Sequence, residues 1–499
     1  MNPTAAQQTP SLTLPRNTGR GNRRPFALRA TFVVLLFAIA GCAVGPDFRK
    51  PDPKAPGGWA DPVGSSYPTT RPMSFAGDPQ QLADWWKRFN DPTLDSLIGR
   101  AISANLDLRR ATSAVRQARY VRAATASELF PRVDASAAGR RTGSAGEGPV
   151  SLFQGGLDAA WEIDVFGGTR RAVEAADALY QASIEDRRDV LVSVVSEVAV
   201  NYVNLRGTQR QLEIAKGNLE LQKKNLDLVR RLFNNGNGFS SSLDVSNAEA
   251  SVAGTASQIP SLETTARQTA YALSVLLDRT PAELLPELTL PGALPVAPVE
   301  VPLGLPSDLL ERRPDVRRAE AQLHAAVANI GVATADLFPR FSLTGSYGYA
   351  NGRALSLFNY AGSAWSVGGG LTFPLFDAGR IFNNINVQTE RQEQALVDYR
   401  QTVLIALQDT ENALVAYVKE YERRAALADA VTANQSAVKA ATVLFTNGQV
   451  DFLNVLSAQQ ALFSSENALV QSDRTTVTNL IALYKALGGG WENNADQPQ

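Results

Sequence analysis

The tetrapeptide Leu-Phe-Pro-Arg occurs twice in the chain, at 129–132 and at 337–340. The copies lie 208 residues apart (129 to 337), and their surroundings repeat with them. Upstream, Asp107-Leu108-Arg109-Arg110-Ala111 answers to Asp315-Val316-Arg317-Arg318-Ala319 at the same spacing. Downstream, Leu232-Phe233-Asn234-Asn235-Gly236 answers to Leu444-Phe445-Thr446-Asn447-Gly448, with the spacing grown to 212 (232 to 444). One unit of roughly two hundred residues is therefore written twice, and repetition constrains architecture before any single motif does.

Charge excludes some partners. With 48 basic and 49 acidic residues there is no electrostatic signature of a nucleic-acid partner. One cysteine and one histidine leave no internal disulfide and almost nothing for a Cys/His metal site. No phosphate-binding loop, G-x-S-x-G elbow or Cys/His nucleophile pair is present, so the sequence points to no cofactor and no enzymatic reaction. The single cysteine is informatively placed. Arg16, Arg20, Arg23, Arg24 and Arg29 precede an apolar run over 31–40, too short to span a bilayer as a helix, and Ile39-Ala40-Gly41-Cys42 closes it. A basic start, a short apolar stretch and small residues before the cut read as a signal peptide over 1–41, with Cys42 the acylated first residue of a lipoprotein. Ala43 rather than Asp follows it, which resembles an outer-membrane address.

The rest divides by composition. Residues 42–92 are rich in Pro and Gly and read as a lipid-anchored tether without a core of its own. Residues 93–280 form a first repeat and 307–488 a second, each ordered helix, β-hairpin, long helix, helix, with a tail over 489–499. The proline-dense stretch 281–306 between them is expected to exclude helix. Within each repeat lie two segments of alternating character. Phe341, Leu343, Gly345, Tyr347 and Tyr349 alternate with Ser342, Thr344, Ser346 and Gly348. Trp365, Val367, Gly369, Leu371 and Phe373 do the same, as do Phe153, Leu157, Ala159, Trp161, Ile163 and Val165 in the first copy, whose partner segment over 133–141 is weaker and Ala-rich. Such segments fit transmembrane β-strands of ~9–11 residues, or an amphipathic hairpin on a soluble core; the secretory signal favours the former. Four strands cannot close a barrel, so a chain built this way must share its barrel with others.

The helices are long. No proline interrupts 171–233, and Val198, Leu205, Leu212, Leu219, Leu226 and Phe233 recur every seventh position. At ~1.5 Å per residue that is a rod of roughly 95 Å, and 380–445 gives roughly 100 Å. A heptad stripe asks for partner helices. The flanking segments 94–129 with 243–278, and 307–337 with 453–487, are read as half-length helices that together match each rod, with Pro260 expected to kink one of them.

Cys42-Ala43-Val44-Gly45-Pro46-Asp47-Phe48, Trp85-Trp86-Lys87-Arg88-Phe89, Leu310-Glu311-Arg312-Arg313-Pro314-Asp315-Val316-Arg317 and Val450-Asp451-Phe452-Leu453-Asn454-Val455-Leu456 resemble the TolC family of outer membrane factors, in its NodT-type lipoprotein branch. The resemblance covers 42–488 and includes the duplication. It implies an α+β membrane protein, a homotrimer in which a twelve-stranded barrel, four strands per chain, continues into a periplasmic helical barrel. It implies a lipid-anchored place in the cell outer membrane, reaching into the periplasm. The implied role is the passive, gated exit duct of a tripartite efflux pump for small molecules. Its implied partners are a periplasmic adaptor and an inner-membrane transporter, commonly of the RND class. It also places the periplasmic aperture at the helix-hairpin tips, 234–243 and 446–452, which makes Asp244, Asp451, Phe452 and Ser457 candidate aperture residues. Many members read Leu-Asp-Ala-Gln where this chain has Leu456-Ser457-Ala458-Gln459, so Asp451 is the nearest carboxylate at that tip. Crowded carboxylates at a closed mouth would favour cations, while helix capping explains Asp244 and Asp451 equally well. Phe130, Phe338, Trp161 and Trp365 are expected at membrane interfaces. The alternatives are the duct of a type I protein secretion system and a periplasmic coiled-coil lipoprotein without a pore.

Overall fold

The computed structural model describes residues 43–54, 56–59, 73–74, 82–235, 240–290, 292–297, 301–302, 306–356 and 359–492. Cys42 and the signal peptide lie outside these residues. The duplication is drawn in the backbone. The first copy is α1 (Pro92–Ala104), α2 (Leu106–Ser127), β1 (Arg132–Ser144), β2 (Glu147–Ile163), α3 (Gly168–Asn234) and α4 (Ser242–Leu276). After α5 (Pro281–Leu288) the second runs α6 (Pro306–Arg312), α7 (Pro314–Ala335), β3 (Arg340–Asn351), β4 (Ser363–Thr372), α8 (Arg380–Thr446) and α9 (Phe452–Ala486).

The two rods are 67 residues each, about 100 Å at the α-helical rise. Each starts after a glycine in the left-handed region, Gly167 (φ 81°) and Gly379 (φ 84°). Carboxylates set back from each start take its free N–H groups. Asp164 accepts from Thr169 and Arg170, and Asp377 from Gly379 and Ile381. Helices α2 and α4 line α3, and α7 and α9 line α8, while α7 and α9 also pack on α3 and so join the repeats.

Two expectations are corrected. The entering helices are broken, at Asn105 in the first copy and at Arg313 in the second. The proline-dense stretch does hold a helix, α5, because Pro281 occupies its first turn, where no N–H is needed, and only Pro286 falls inside. The tether also does more than span. Trp59, Leu82, Trp85, Trp86 and Phe89 join the largest apolar core, at mid-height of the rods, with Val195, Val198, Tyr202, Leu480, Ile481 and Tyr484. Trp85 stacks on Tyr484 at 5.3 Å, and burial pushes the Tyr484 phenol up to about 12. Composition hid this because four aromatics within a proline-rich segment look like a linker until a partner surface is known.

The strands form one antiparallel sheet in the order β1-β2-β3-β4. Its register aligns the alternation of all four. Ala135, Leu157, Tyr347 and Trp365 stand in one row, and Val133, Ala159, Gly345 and Val367 in the next row of that face. The opposite face carries the row Asp134, Asp158, Ser346 and Ser366. Ser136 donates to Asp158 at 3.1 Å, and the Ser346 and Ser366 hydroxyls are 2.8 Å apart. Both faces are open to solvent, and β1 and β4 leave their outer edges unpaired within the chain. No described helix is long and apolar enough to cross a membrane.

Candidate functional site

The candidate residues gather at two places: the two-faced sheet at one end of the rods and the hairpin tips at the other. At the sheet, small and polar residues line one face and aliphatic and aromatic residues the other, the division a wall between lipid and water requires. Trp161 stands opposite Leu343 and Trp365 opposite Tyr347, four positions along β3, so the two tryptophans occupy levels about 13 Å apart. The Trp161 indole donates to the Leu129 carbonyl at 3.0 Å, pinning strand to helix end, whereas Trp365 is 75% exposed. Phe338 stacks on Phe166 at 4.6 Å, and Phe130, its counterpart in the first copy, is exposed.

The tips differ from each other. At the first, Ser241 is the N-cap of α4 and Asp244 completes a capping box. The Asp244 carboxylate accepts from the Ser241 N–H and hydroxyl, both at 2.8 Å, so it faces its own helix start. At the second, Asp451 is the N-cap of α9, exposed, and makes no side-chain cap bond. Ser457 is exposed one and a half turns further on. Phe452, the other candidate at this tip, is buried. It is 2% exposed and packs on Phe445 (centroids 5.5 Å apart) with Leu226, Val229, Ala248, Val455 and Leu456, a cluster that ties the two tips together. Asn225 donates to Gln459 at 2.9 Å just above it.

Sequence reasoning missed the residues that fix the rods' geometry. Asn105 and Arg313 are separated by the repeat spacing and do one job at the two helix breaks. Asn105 caps α2 by accepting from Leu108 and donates to the last carbonyl of α4, Leu276, at 2.9 Å. Arg313 donates to the last carbonyl of α9, Ala486, at 3.1 Å, and also to Ala406. Asp315 (2.7 Å) and Asp409 (3.2 Å) flank its guanidinium. Burial alone would lower the Arg313 pKa, but these two carboxylates outweigh it and raise the value. The repeat itself was the signal: each break residue sits two positions before the duplicated aspartate.

Arg171 was missed as well. Its side chain, 6% exposed, donates to the carbonyls of Val44 (3.1 Å) and Gly45 (3.4 Å) and to the carboxylates of Asp47 (2.7 Å) and Glu174 (2.8 Å). Gly45 has φ 93°, and a Cβ there would lie 2.4 Å from the Gly331 Cα, so only glycine lets the segment 43–47 pass between α3 and α7. His324 packs beside this clamp, stacked on Phe48 at 4.4 Å with Nε2 2.9 Å from Glu174. Burial pushes the Glu174 carboxyl up, but His324 and Arg171 together hold it below the usual range.

Long helical hairpins that end in a two-faced sheet with unpaired edges have the layout of a membrane channel protein. The comparisons give the class its family. Residues 97–279 and 305–489 match OEP, the outer membrane efflux protein family, and the chain belongs to it. The toluene efflux pump outer membrane protein TtgF of Pseudomonas putida is 31% identical over 487 residues, 93% of this chain and 98% of its own. The structure of the outer-membrane channel OprN superposes with a TM-score of 0.80 at 38% identity, over 90% of this chain and 100% of that one. The open state of the Neisseria gonorrhoeae MtrE outer membrane channel does so at 0.78 and 29%, over 91% and 100%. The chain is therefore an outer membrane channel protein of an efflux pump.

Proposed function

We propose that three chains close a twelve-stranded barrel in the outer membrane and continue it as a helical tube through the periplasm. The tube is a passive, gated conduit for small molecules. The observation that carries this reading is the sheet register: apolar and polar faces coincide across all four strands, yet both edges and both faces are left uncovered. In hydrocarbon an unpaired edge costs several kcal/mol per group, so each edge needs another strand. The Leu-Phe-Pro-Arg copies stand where helix gives way to strand, since proline withholds the next helical N–H.

Energy for transport would come from an inner-membrane transporter of RND type joined through a periplasmic adaptor. Cys42 would carry the lipid, and the clamp on Val44 and Gly45 would hold that anchor at the base of the sheet, where Ala43 abuts Gly167. At the periplasmic end Asp451, exposed and not engaged in capping, is the carboxylate best placed to meet cations. Asp244 serves its helix start first. Planar-bilayer conductance and a heat-modifiable trimer band test the pore; a preparation from outer membranes showing neither would overturn it. Cys42→Ser should leave unprocessed precursor, and unchanged mobility would refute the lipid anchor. Asp451→Ala should change conductance or its block by divalent cations, and identical traces would remove the residue from the gate.

A further inference from the structure

Within one chain the two repeats meet along α3 and α7. Arg318 of α7 bridges Asp186 (2.6 Å) and Asp189 (3.2 Å) of α3, Arg317 bridges Glu185 (2.9 Å), and His324 meets Glu174 (2.9 Å). The repeat carries this seam onto the two surfaces the chain leaves open. Helix α7 maps onto α2 by 208 residues (337 to 129), and α3 maps onto α8 by 212 (168 to 380). Under that shift Arg318 falls on Arg110 and Asp186 falls on Asp398. The local match is close: Asp186-Arg187-Arg188 becomes Asp398-Tyr399-Arg400. The other ion pairs do not carry over. Arg317 with Glu185 falls on Arg109 with Val397, and His324 with Glu174 falls on Arg116 with Asn386.

The two groups that do carry over are both at the surface. The Arg110 side chain is 84% exposed, and its contact is Asp107 one turn away on the same helix, itself 62% exposed. Asp398 is exposed on α8. Apolar neighbours share their fate, with Tyr120 and Val121 bare on α2 and Val397 and Leu404 bare on α8. The residues that correspond to Tyr120 and Leu404 inside the chain, Ala328 and Val192, are buried. The sheet obeys the same shift. Ala159 opposite Gly345 becomes Leu371 opposite Ala137, which joins apolar face to apolar face.

We propose that the seam between neighbouring protomers copies the internal seam, with Arg110 of one protomer paired to Asp398 of the next as the one ion pair retained. This deepens the ring reading of the proposed function and rests on it. Opposite charge at this one matched position sets register along the rods, where a heptad stripe alone would allow slippage by one repeat.

The test places cysteines at both positions (Arg110→Cys with Asp398→Cys) and treats outer membranes with a short bismaleimide. Covalent dimers and trimers are expected, well above those of either single variant. The pair Asp186→Cys with Arg318→Cys should react within one chain and leave its mass unchanged. Charge reversal adds a second readout. Arg110→Glu should lower the temperature at which the trimer band is lost, and Arg110→Glu with Asp398→Arg should restore it. No cross-linking above the single variants, with the wild-type trimer band intact, would overturn the pairing and leave the ring standing. A wild-type protein that sediments as a monomer would overturn the ring itself.

Discussion

Helices α3 and α8 have the same length and the same kind of start, yet 23 residues of α3 are buried and only 11 of α8. The cause is company. Helix α3 is lined by α1, α2 and α4 of its own repeat and by α7 and α9 of the other, while α8 packs mainly on α7 and α9, with a small contact from α6. Duplication thus wrote one interface twice; the chain satisfies it once and leaves it open once. Equivalent positions make the point: Val192 is 3% exposed on α3, and Leu404, its counterpart on α8, is 66% exposed. Exposed aliphatic residues on a long helix are unfavourable in water, and burying each is worth ~1.5–3 kcal/mol, which is the force available for assembly.

The comparison can be broken at several points. The largest effect is expected at the charged break. Arg313→Ala strands Asp315 and Asp409 and two carbonyls, and should cost about 3–5 kcal/mol in denaturant unfolding of the detergent-solubilised protein. A loss no larger than for an exposed arginine would show that the second copy needs no hub. Leu191→Ala, in the filled interface, should cost about 2–5 kcal/mol of chain stability. In the proposed ring, Leu404→Ala should leave chain unfolding unchanged and lower the temperature of trimer dissociation instead; the reverse pattern would contradict the filled-and-open distinction. At the neutral break, Asn105→Ala removes one cap and one carbonyl contact and should cost about 1–2 kcal/mol. Equal costs at Asn105 and Arg313 would mean that the added charges contribute nothing.

The tips give a smaller contrast. Ser241→Ala should cost about 1 kcal/mol and increase hydrogen exchange at the start of α4, whereas Asp451→Ala should leave α9 unchanged by the same measurement. The smallest effect concerns pH. The folded Glu174 carboxyl is held below its usual 4.5, so its contribution is complete above that value and is lost as pH falls through the lower, folded one. Wild type and Glu174→Gln should therefore differ in melting temperature at neutral pH and converge in acid. A gap that stays constant with pH would deny Glu174 its place in the clamp.

The sequence on its own determined everything that has a period. The twin Leu-Phe-Pro-Arg marked both helix-to-strand junctions, alternation marked three strands and more weakly an Ala-rich fourth, and long stretches with heptad spacing, full in the first copy and partial in the second, marked the rods, with ends within three residues of those observed. These are local regularities, dictated by 2.0- and 3.6-residue geometries that act without distant partners. Tertiary structure decided what depends on a partner remote in the chain. Asn105 ends a helix because Leu276 offers a carbonyl, and Arg313 does so with Ala486 of α9 and Ala406 and Asp409 of α8. Phe452 turns inward because Phe445 and Val229 make a pocket for it, and Asp244 turns to its own helix because Ser241 precedes it. Arg171 is buried because the segment 44–47 comes back to lie across it. A periodic pattern states which face wants burial, and only the assembled elements settle what covers it. For α3 the chain itself does so; for the matching face of α8 it does not.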